Sequence, residues 1–390
     1  MKIRSAKTII HPILSCILLL FYGFALGSES EGALPQNSAI NWPIFRGDTK
    51  LSGIAKGNLP DQLELLWSFK TGDEIKSSAV IWNDMVFIGS SDGNVYALLL
   101  SNGKKIWEFK TNSVFEAPAL IIDETVFIGS LEGIFYALDA HTGKLKWKYE
   151  TDGKIVGSAN WVQAPNGTNK CILIGSYDNV MYCLDSKSGR KIWTYETDNF
   201  INGSPAIDGE KVSFGGCDAH VHLISSSNGK GITKIDVGSY IAGSAALVDN
   251  HAFVGHYDSK LVCVDLSAKK IKWEYGDEEQ GEPFFSSPAV GEDRVVIGSR
   301  DEYVHCVKRT DGKMVWKFRT QGNVDSSPVI CEDKVVVGSD DGRLYVLRLS
   351  DGTEMWSYEI GSAISGSPAV AEGKIVIGAD DGRVYAFGKK

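Results

Sequence analysis

The sequence repeats itself at an interval close to 40 residues, and this repetition constrains the fold more than any other feature. In each copy a strand ends in a Gly-Ser-like step, an acidic residue with glycine forms a tight turn, and an alternating strand returns. The glycines of that step are Gly89, Gly129, Gly175, Gly215, Gly255, Gly298, Gly338 and Gly378, separated by 40, 46, 40, 40, 43, 40 and 40 residues. The chain is therefore an array of eight related units.

Each copy predicts four short strands, and four strands in about 40 residues are typical of one β-propeller blade. Residues 63–70 resemble the fourth strand of a copy, although no complete copy precedes them, and the last copy stops after its third strand at Phe387. Pairing of these two ends would complete an eighth blade and remove an exposed sheet edge. We therefore predict an all-β, eight-bladed β-propeller of four-stranded antiparallel blades, closed by its N- and C-terminal strands.

A tryptophan follows the repeated glycine by eighteen residues in most copies. The set is Trp107, Trp147, Trp193, Trp273, Trp316 and Trp356, and Trp67 takes the same role in the composite blade. We predict that these seven are structural docking residues that pack over a small residue at the seams between blades. The exception is Thr233, and in that copy the bulkier Leu223 replaces the usual Ala or Cys, which we interpret as volume compensation.

The N-terminus has the pattern of an export signal. Three basic residues precede an apolar run over 9–26, which ends in Ala25-Leu26-Gly27, so we predict a signal peptide at 1–27. An uncleaved anchor and lipidation at Cys16 are the alternatives. Residues 28–60 are predicted to be a lead-in segment, whose aromatic part at 42–47 should pack against the ring, and residues 61–390 form the propeller. The expected location is periplasmic or secreted, or membrane-anchored as the alternative, with no transmembrane domain after signal cleavage.

Charge and cysteine usage exclude some classes of function. A net charge of −9 and a pI near 5.4 leave no basic stripe, so nucleic acid is not an expected partner. Six cysteines remain after signal cleavage, an even number that could form disulfides in an exported protein. However, Cys183, Cys263 and Cys306 occupy a position that holds Ala in other copies, so we expect mostly free thiols.

The pattern Ala137-x-Asp139-x-x-x-Gly143-Lys144-x-x-Trp147 resembles the tryptophan-docking motif of the PQQ-like repeat. This repeat is shared by quinoprotein alcohol dehydrogenases and by the outer-membrane assembly factor B lipoproteins. The resemblance extends over residues 42–387, and the copy from Cys183 to Trp193 differs only by Cys for Ala and Arg for Lys. It implies an eight-bladed ring whose Trp residues stack between blades.

The resemblance also bears on activity. Quinoprotein dehydrogenases carry a pair of adjacent cysteines over the quinone, and this sequence has none. In size the chain is more similar to the assembly-factor group, which is not enzymatic. We therefore expect no cofactor and an exported scaffold that binds another envelope protein, in outer-membrane protein assembly. The alternatives are a PQQ-dependent dehydrogenase with Ca²⁺ and a carbohydrate-binding propeller.

No residue is assigned to catalysis, cofactor binding or metal binding. Gly89 to Gly93 matches GxSxG but lies in a repeated hairpin turn instead of a strand-to-helix turn. Two copies are rich in His and Cys, which could suggest zinc, but His222 and His305 occupy a position that holds Tyr in most copies.

Two loops are longer than their connections require: residues 160–170 in the third copy and residues 277–283 before the sixth. The segment 277–285 is acidic and ends in two adjacent phenylalanines, so Glu278, Glu279, Phe284 and Phe285 are the candidate interaction residues. We expect them on the face that carries the acidic turns, near the central channel. Because propeller strands are packed on both sides, burial of both phenylalanines between blades is the alternative.

Overall fold

A computed structural model of the chain describes residues 41–390, apart from 165, 166, 168 and 277–280. These residues form strands and turns, and among them no helix is long and apolar enough to cross a membrane. The predicted signal peptide at 1–27, Cys16, residues 28–40 and the candidates Glu278 and Glu279 lie outside the described residues.

Two strands precede the first complete blade: β1 (Ile54–Ala55) and β2 (Glu64–Lys70). Blades 1 and 2 consist of β3 (Val80–Trp82), β4 (Met85–Gly89), β5 (Asn94–Leu99), β6 (Lys105–Lys110), β7 (Leu120–Ile122), β8 (Thr125–Gly129), β9 (Ile134–Asp139) and β10 (Leu145–Glu150). Blades 3 and 4 consist of β11 (Asn160–Gln163), β12 (Lys170–Gly175), β13 (Val180–Asp185), β14 (Lys191–Glu196), β15 (Ala206–Asp208), β16 (Lys211–Gly215), β17 (His220–Ser225) and β18 (Gly231–Asp236).

The second half of the ring follows the same plan. Blades 5 and 6 consist of β19 (Ala246–Val248), β20 (His251–Gly255), β21 (Lys260–Asp265), β22 (Lys270–Gly276), β23 (Ala289–Val290), β24 (Arg294–Gly298), β25 (Tyr303–Lys308) and β26 (Met314–Arg319). Blades 7 and 8 contain β27 (Val329–Cys331), β28 (Lys334–Gly338), β29 (Arg343–Arg348), β30 (Glu354–Glu359), β31 (Ala369–Ala371), β32 (Lys374–Ala379) and β33 (Arg383–Gly388). The predicted eight-bladed, all-β propeller is confirmed.

In blades 1 to 7 the four strands are antiparallel neighbours in chain order, whereas blade 8 has the order β31-β32-β33-β2. The burial of each strand follows from its place in the blade. The second strand is covered by a blade on each side, so β8 is buried along its whole length and its sequence is continuously apolar. The fourth strand forms the outer edge, and β10 alternates between exposed and partly buried residues. The repeated glycine permits close blade contact, because a Cβ on Gly129 would lie 2.2 Å from Ile155 of the next blade.

The ring closes as predicted. Strand β2 pairs antiparallel with β33, with Leu65 opposite Phe387 and Trp67 opposite Ala386, so the eighth blade combines both ends of the chain. The innermost strands β3 and β31 also contact each other across the closure. No sheet edge between the first and last blades is therefore left exposed.

Each of the seven tryptophans joins its blade to the next one. The indole Nε1 donates to a backbone carbonyl of the following blade: Trp67 to Leu100 (2.9 Å), Trp107 to Ala140 (2.9 Å), Trp147 to Ser186 (3.1 Å), Trp193 to Ser226 (3.2 Å), Trp273 to Arg309 (3.0 Å), Trp316 to Leu349 (2.8 Å) and Trp356 to Leu63 (3.0 Å). Within its own blade each ring lies opposite a small or medium residue, as Trp147 does with Ala137. A buried hydrogen bond of this kind contributes about 1 kcal/mol net, and the packed ring adds apolar burial.

The lead-in segment from Trp42 to Ala55 runs beneath the ring along the free inner edges of the blades. Its backbone bonds successively to the first strands of blades 1, 2, 4, 5, 6 and 7, through Ile81, Ile121, Ile207, Leu247, Val290 and Ile330. Strand β1 pairs in parallel with β27. The expectation that residues 42–47 pack on the ring is thus met, and these residues belong to the same compact unit as the blades.

Candidate binding site at the channel mouth

The two ends of the central channel differ. In every blade the loop before the first strand, called here the inner loop, bonds to the turn between the second and third strands: Ser91 N–H to Glu74 O, Leu131 to Val114, Tyr177 to Lys154, Cys217 to Phe200, Tyr257 to Tyr240, Arg300 to Pro283, Asp340 to Asn323 and Asp380 to Ala363. The inner loops and the acidic turns therefore share one face, as the sequence predicted. The lead-in segment covers the opposite end, so we call the end with the inner loops the channel mouth.

A ring of serines surrounds the channel just inside the mouth. Backbone N–H groups donate to the hydroxyl oxygen of the next blade's serine at 2.8 to 3.0 Å, in the order Ser158, Ser204, Ser244, Ser287, Ser327, Ser367 and Ser78. Pro118 occupies the equivalent position in blade 2, where it can supply neither the hydroxyl nor the N–H. These bonds link the innermost strands, so the wall of the channel is held in a defined shape.

Buried Arg46 fixes the lead-in segment below this ring. Its guanidinium donates to the carbonyl oxygens of Ser327 (3.0 Å) and Pro328 (2.5 Å). Burial lowers the pKa of Arg46 to about 9, because the charged form loses its water. The adjacent Phe45 lines a cavity of about 350 Å³ whose walls include Ser204, Ser244 and other serines of the ring.

Half of the mouth is aromatic. Tyr177, Phe200, Tyr240, Tyr257 and Phe285, which we call the aromatic arc, come from the turns and inner loops of blades 3 to 6. Tyr177 and Phe200 are stacked with centroids 4.9 Å apart, Tyr240 and Tyr257 are 6.2 Å apart, and Tyr257 and Phe285 are 4.8 Å apart. Phe200, Tyr240 and Tyr257 are 44%, 53% and 44% exposed. Paired but exposed rings form an apolar surface that is ordered before any partner arrives.

The other half is charged. The Arg300 guanidinium lies 3.6 Å from the ring centroid of Phe285 and donates from Nε and Nη2 to the Asp325 carboxylate at 3.0 and 2.7 Å. Burial raises the pKa of Asp340, and the charges of Asp325 and Asp380 raise it further. Burial also raises the pKa of Asp380, against a hydrogen bond from the hydroxyl of Ser365. The mouth thus combines an apolar half with an acidic half, and Arg300 lies between them.

The structure separates the two adjacent phenylalanines. Phe284 is 3% exposed and packs edge-on against His305, with the ring centroids 5.3 Å apart. The alternative given in the sequence analysis, burial between blades, is therefore correct for Phe284. Phe284 is therefore not an exposed anchor for a partner. It occupies the inner-loop position held by Ile75, Phe115, Ile155 and Ile201 in blades 1, 2, 3 and 4, all of which are fully buried. Phe285, pointing the other way, reaches the mouth.

The other residues of the arc were missed by the sequence analysis. Tyr177 and Tyr257 share one turn position with Arg300, and Phe200 and Tyr240 share one inner-loop position. Placing these two positions on the same face and comparing them across the copies would have identified the arc.

The two histidines that take the place of the repeated tyrosine have structural partners. His222 contacts the Asp218 carboxylate through Nε2 at 2.9 Å and the Tyr195 hydroxyl through Nδ1 at 3.1 Å. His305 repeats this arrangement with Asp301 at 3.0 Å and Tyr275 at 2.9 Å. Over the part of the chain that the structure describes, no group of three or more His, Cys, Asp or Glu residues could hold a metal ion.

The channel residues do not fit PQQ, a flat quinone with several carboxylates. The mouth already carries Asp325, Asp340 and Asp380, whose charges disfavour a polyanion. The deep cation Arg46 is directed to backbone carbonyls. The tryptophans of the repeat lie at the seams, where their indoles bond to neighbouring blades, as Trp147 does to Ser186.

Two family models match the sequence. Residues 124–335 match the model described as "Beta-alanine-activating enzyme, beta-propeller", and residues 300–390 match that of "Outer membrane protein assembly factor BamB". No curated protein sequence matches the chain.

Solved structures resemble the whole ring. BamB from Moraxella catarrhalis is 20% identical with a TM-score of 0.69, covering 84% of this chain and 98% of that one. The computationally designed Ika8 protein is 16% identical with a TM-score of 0.72, covering 84% and 100%. Quinohemoprotein alcohol dehydrogenase from Comamonas testosteroni is 13% identical with a TM-score of 0.74, covering 90% and 81%. At these identities the similarity shows the fold alone.

Proposed function

We propose, from the premise that this chain belongs to the PQQ-like β-propeller family, that it is an exported scaffold without enzymatic activity. In this proposal it binds a protein of the cell envelope through the channel mouth. The observation that carries the proposal is the aromatic arc, in which Phe200, Tyr240 and Tyr257 remain exposed although each ring has an aromatic neighbour.

Exposed aromatic residues that are already ordered are the side chains that dominate protein interfaces, because they bury a large area at little cost in conformational entropy. Arg300 and the acidic half add charges that can orient a partner. The mouth is rigid, since the serine ring and the lead-in segment hold the inner strands from both ends. A rigid, half-apolar and half-charged surface favours a scaffold over a catalyst.

The envelope location rests on the N-terminal sequence. The apolar run at 9–26, followed by Ala25-Leu26-Gly27, supports export and cleavage before Ser28. The match of residues 300–390 to the model of an outer membrane protein assembly factor supports a role in assembly of outer-membrane proteins. Sequencing the N-terminus of the protein isolated from its host tests the cleavage; a retained leader or a lipid on Cys16 would contradict it.

The binding proposal is tested by photo-crosslinking in the host. A benzophenone amino acid at Tyr240 should give a discrete protein adduct, which the additional change Tyr257→Ser should reduce about tenfold or more, because one aromatic anchor contributes ~2 kcal/mol. The control places the same amino acid at Ile106, which is 40% exposed on the outer strand β6. Adducts of equal yield at both positions, or an adduct at Tyr240 that Tyr257→Ser leaves unchanged, would contradict the proposal.

The absence of a cofactor is tested separately. PQQ with Ca²⁺ should give the purified protein no activity with a dye acceptor, whereas quinone-dependent dye reduction would establish the dehydrogenase alternative.

A second candidate is carbohydrate binding, which is favoured by one observation. The cavity below the arc is lined by Tyr177 and Tyr257 together with serine hydroxyls, a combination of apolar rings and hydrogen-bonding groups that suits a sugar. Titration calorimetry with soluble fragments of the host's envelope glycans tests it. Binding that is lost in Tyr177→Ser and retained in a variant changed at Ile106 would favour this candidate over the protein scaffold.

A further inference from the structure

One seam between blades lacks the aromatic packing of its relatives. In six other seams an aromatic residue two positions after the docking tryptophan, or after Trp67, packs against a Tyr or His of the next blade. These pairs are Phe69–Tyr96 (5.4 Å), Phe109–Tyr136 (5.4 Å), Tyr149–Tyr182 (5.6 Å), Tyr195–His222 (5.7 Å), Tyr275–His305 (5.7 Å) and Phe318–Tyr345 (5.3 Å). Between blades 4 and 5 the equivalent residues are Ile235 and Val262, and Thr233 replaces the tryptophan. We call this boundary the open seam.

The missing tyrosine also leaves its acidic partner without a donor. The phenol hydroxyl normally donates to the Asp of the turn in its own blade: Tyr96 to Asp92 (2.7 Å), Tyr182 to Asp178 (2.7 Å), Tyr345 to Asp341 (2.7 Å) and Tyr385 to Asp381 (2.6 Å). In blade 5 the turn residue is Asp258, four residues before Val262. Its carboxylate is exposed and accepts no hydrogen bond from any residue that the structure describes.

A cleft of about 600 Å³ lies at the open seam. Asp236 and Val237 line it from blade 4, and Asp258, Ile271 and Glu274 line it from blade 5. Val237 is buried and Ile271 partly buried, so they supply an apolar wall, whereas the three carboxylates are exposed at the rim. Lys260 also lines the cleft and bonds to Glu274 at 2.9 Å, so the rim keeps a net negative charge.

We propose that the open seam binds a tyrosine side chain supplied by a basic segment of another protein. The phenol hydroxyl would donate to Asp258 in the way that the chain's own tyrosines donate to their turn aspartates. The ring would pack on Val237 and Ile271, and basic residues beside the tyrosine would face Asp236 and Glu274. The cleft resembles the seam of a sister blade from which the tyrosine is missing. Its acidic rim favours a tyrosine that is carried by a positively charged segment.

The test uses two peptides, acetyl-Lys-Tyr-Lys-amide and acetyl-Lys-Phe-Lys-amide, titrated into the full-length protein and followed by NMR. The Tyr peptide should bind about tenfold more tightly than the Phe peptide, since a hydrogen bond to a carboxylate contributes about that factor. Asp258→Ala should abolish this preference. Glu292→Ala, which removes an exposed acid in another blade, is the matched control and should leave it intact.

A second variant, Val262→Tyr, tests the proposal without changing Asp258. Val262→Tyr restores the residue found in the sister blades, so it should fill the cleft, raise the melting temperature and weaken binding of both peptides by about tenfold or more. Equal affinity for the two peptides, no binding of either one, or a preference that survives in Asp258→Ala would overturn the proposal. Unchanged binding of the Tyr peptide to folded Val262→Tyr would do so as well.

Discussion

Gly143→Ala should lower the free energy of unfolding by more than the cost of backbone strain at this position. Gly143 has a φ of +69°, and a Cβ there would lie 2.6 Å from Cε3 of Trp107, the tryptophan that docks from the preceding blade. Trp107 is 8% exposed, and its Nε1 donates to the carbonyl of Ala140 at 2.9 Å. The indole is therefore held on both sides and cannot move away without losing this bond or its packing.

The expected cost has two parts. A left-handed conformation costs a residue with a Cβ about 1–2 kcal/mol. Displacing the indole loses a hydrogen bond of about 1 kcal/mol and overpacks the seam by about 1–3 kcal/mol. The free energy of unfolding should thus fall by about 3–6 kcal/mol in Gly143→Ala.

Two other positions separate the cost of backbone strain from the cost of displacing Trp107. Gly209 has a φ of +60° with no atom within 4 Å of an added Cβ, so Gly209→Ala should cost only about 1–2 kcal/mol. Lys269 occupies the position of Gly143 at the open seam with a φ of +55°, and the tryptophan that would touch it is replaced by Thr233. Lys269→Gly should therefore stabilise the protein by about 1 kcal/mol.

Urea unfolding with comparison of slopes and midpoints measures all three variants. Equal costs for Gly143→Ala and Gly209→Ala would show that Trp107 does not constrain the glycine and would refute the argument.

Three further predictions concern charge, closure and the cysteines. Burial and neighbouring carboxylates raise the pKa of Asp340, so folding favours its protonated form and stability falls as pH rises through that pKa. Asp340→Asn should raise the free energy of unfolding at pH 7 by less than ~1 kcal/mol and should not raise it at about pH 3; an equal gain at both pH values would contradict this. Deleting 61–71 should lower the melting temperature far more than deleting 28–40, because it removes β2 from the closing blade; similar losses would be evidence against the closure. The six mature cysteines should react mostly as free thiols after denaturation without reductant, and Cys263 and Cys306 should react slowly in the native state, since burial raises the pKa of each to about 12; two disulfides found by mass spectrometry would contradict this.

The repeating parts of the fold were predictable, because eight copies of the repeat show which residue types each structural position accepts. The strand order and closure through Trp67 and Phe387 follow from which elements each end of the chain lacks. The path of the lead-in segment occurs once, so the aromatic residues of 42–47 indicated packing on the ring but not its route beneath six blades. Arg46, directed to the carbonyl of Ser327, has no counterpart in any copy that could have revealed it.

The channel mouth was harder to predict for a related reason. Its side chains lie in turns and loops, where the hydrogen bonding of the backbone is the same for Tyr257 as for Asp340, so folding does not select the residue. Phe284 and Phe285 show that residue type alone does not predict which side chain is buried. Two adjacent phenylalanines look alike in the sequence, and only the alternation of side chains at the start of the strand separates the buried ring from the exposed one.

The two binding surfaces proposed here meet at a single turn. Tyr257 and Asp258 are consecutive residues of blade 5; the Tyr257 ring contacts Phe285 at the mouth, and Asp258 lines the cleft of the open seam. In six other blades the second residue of this turn is an Asp that is bonded by a Tyr or His of its own blade, so it serves folding; these residues are Asp92, Asp178, Asp218, Asp301, Asp341 and Asp381. In blade 5 neither residue is needed for the packing of the seam. A partner lying across this turn would therefore contact both surfaces without disturbing a bond that holds the ring together.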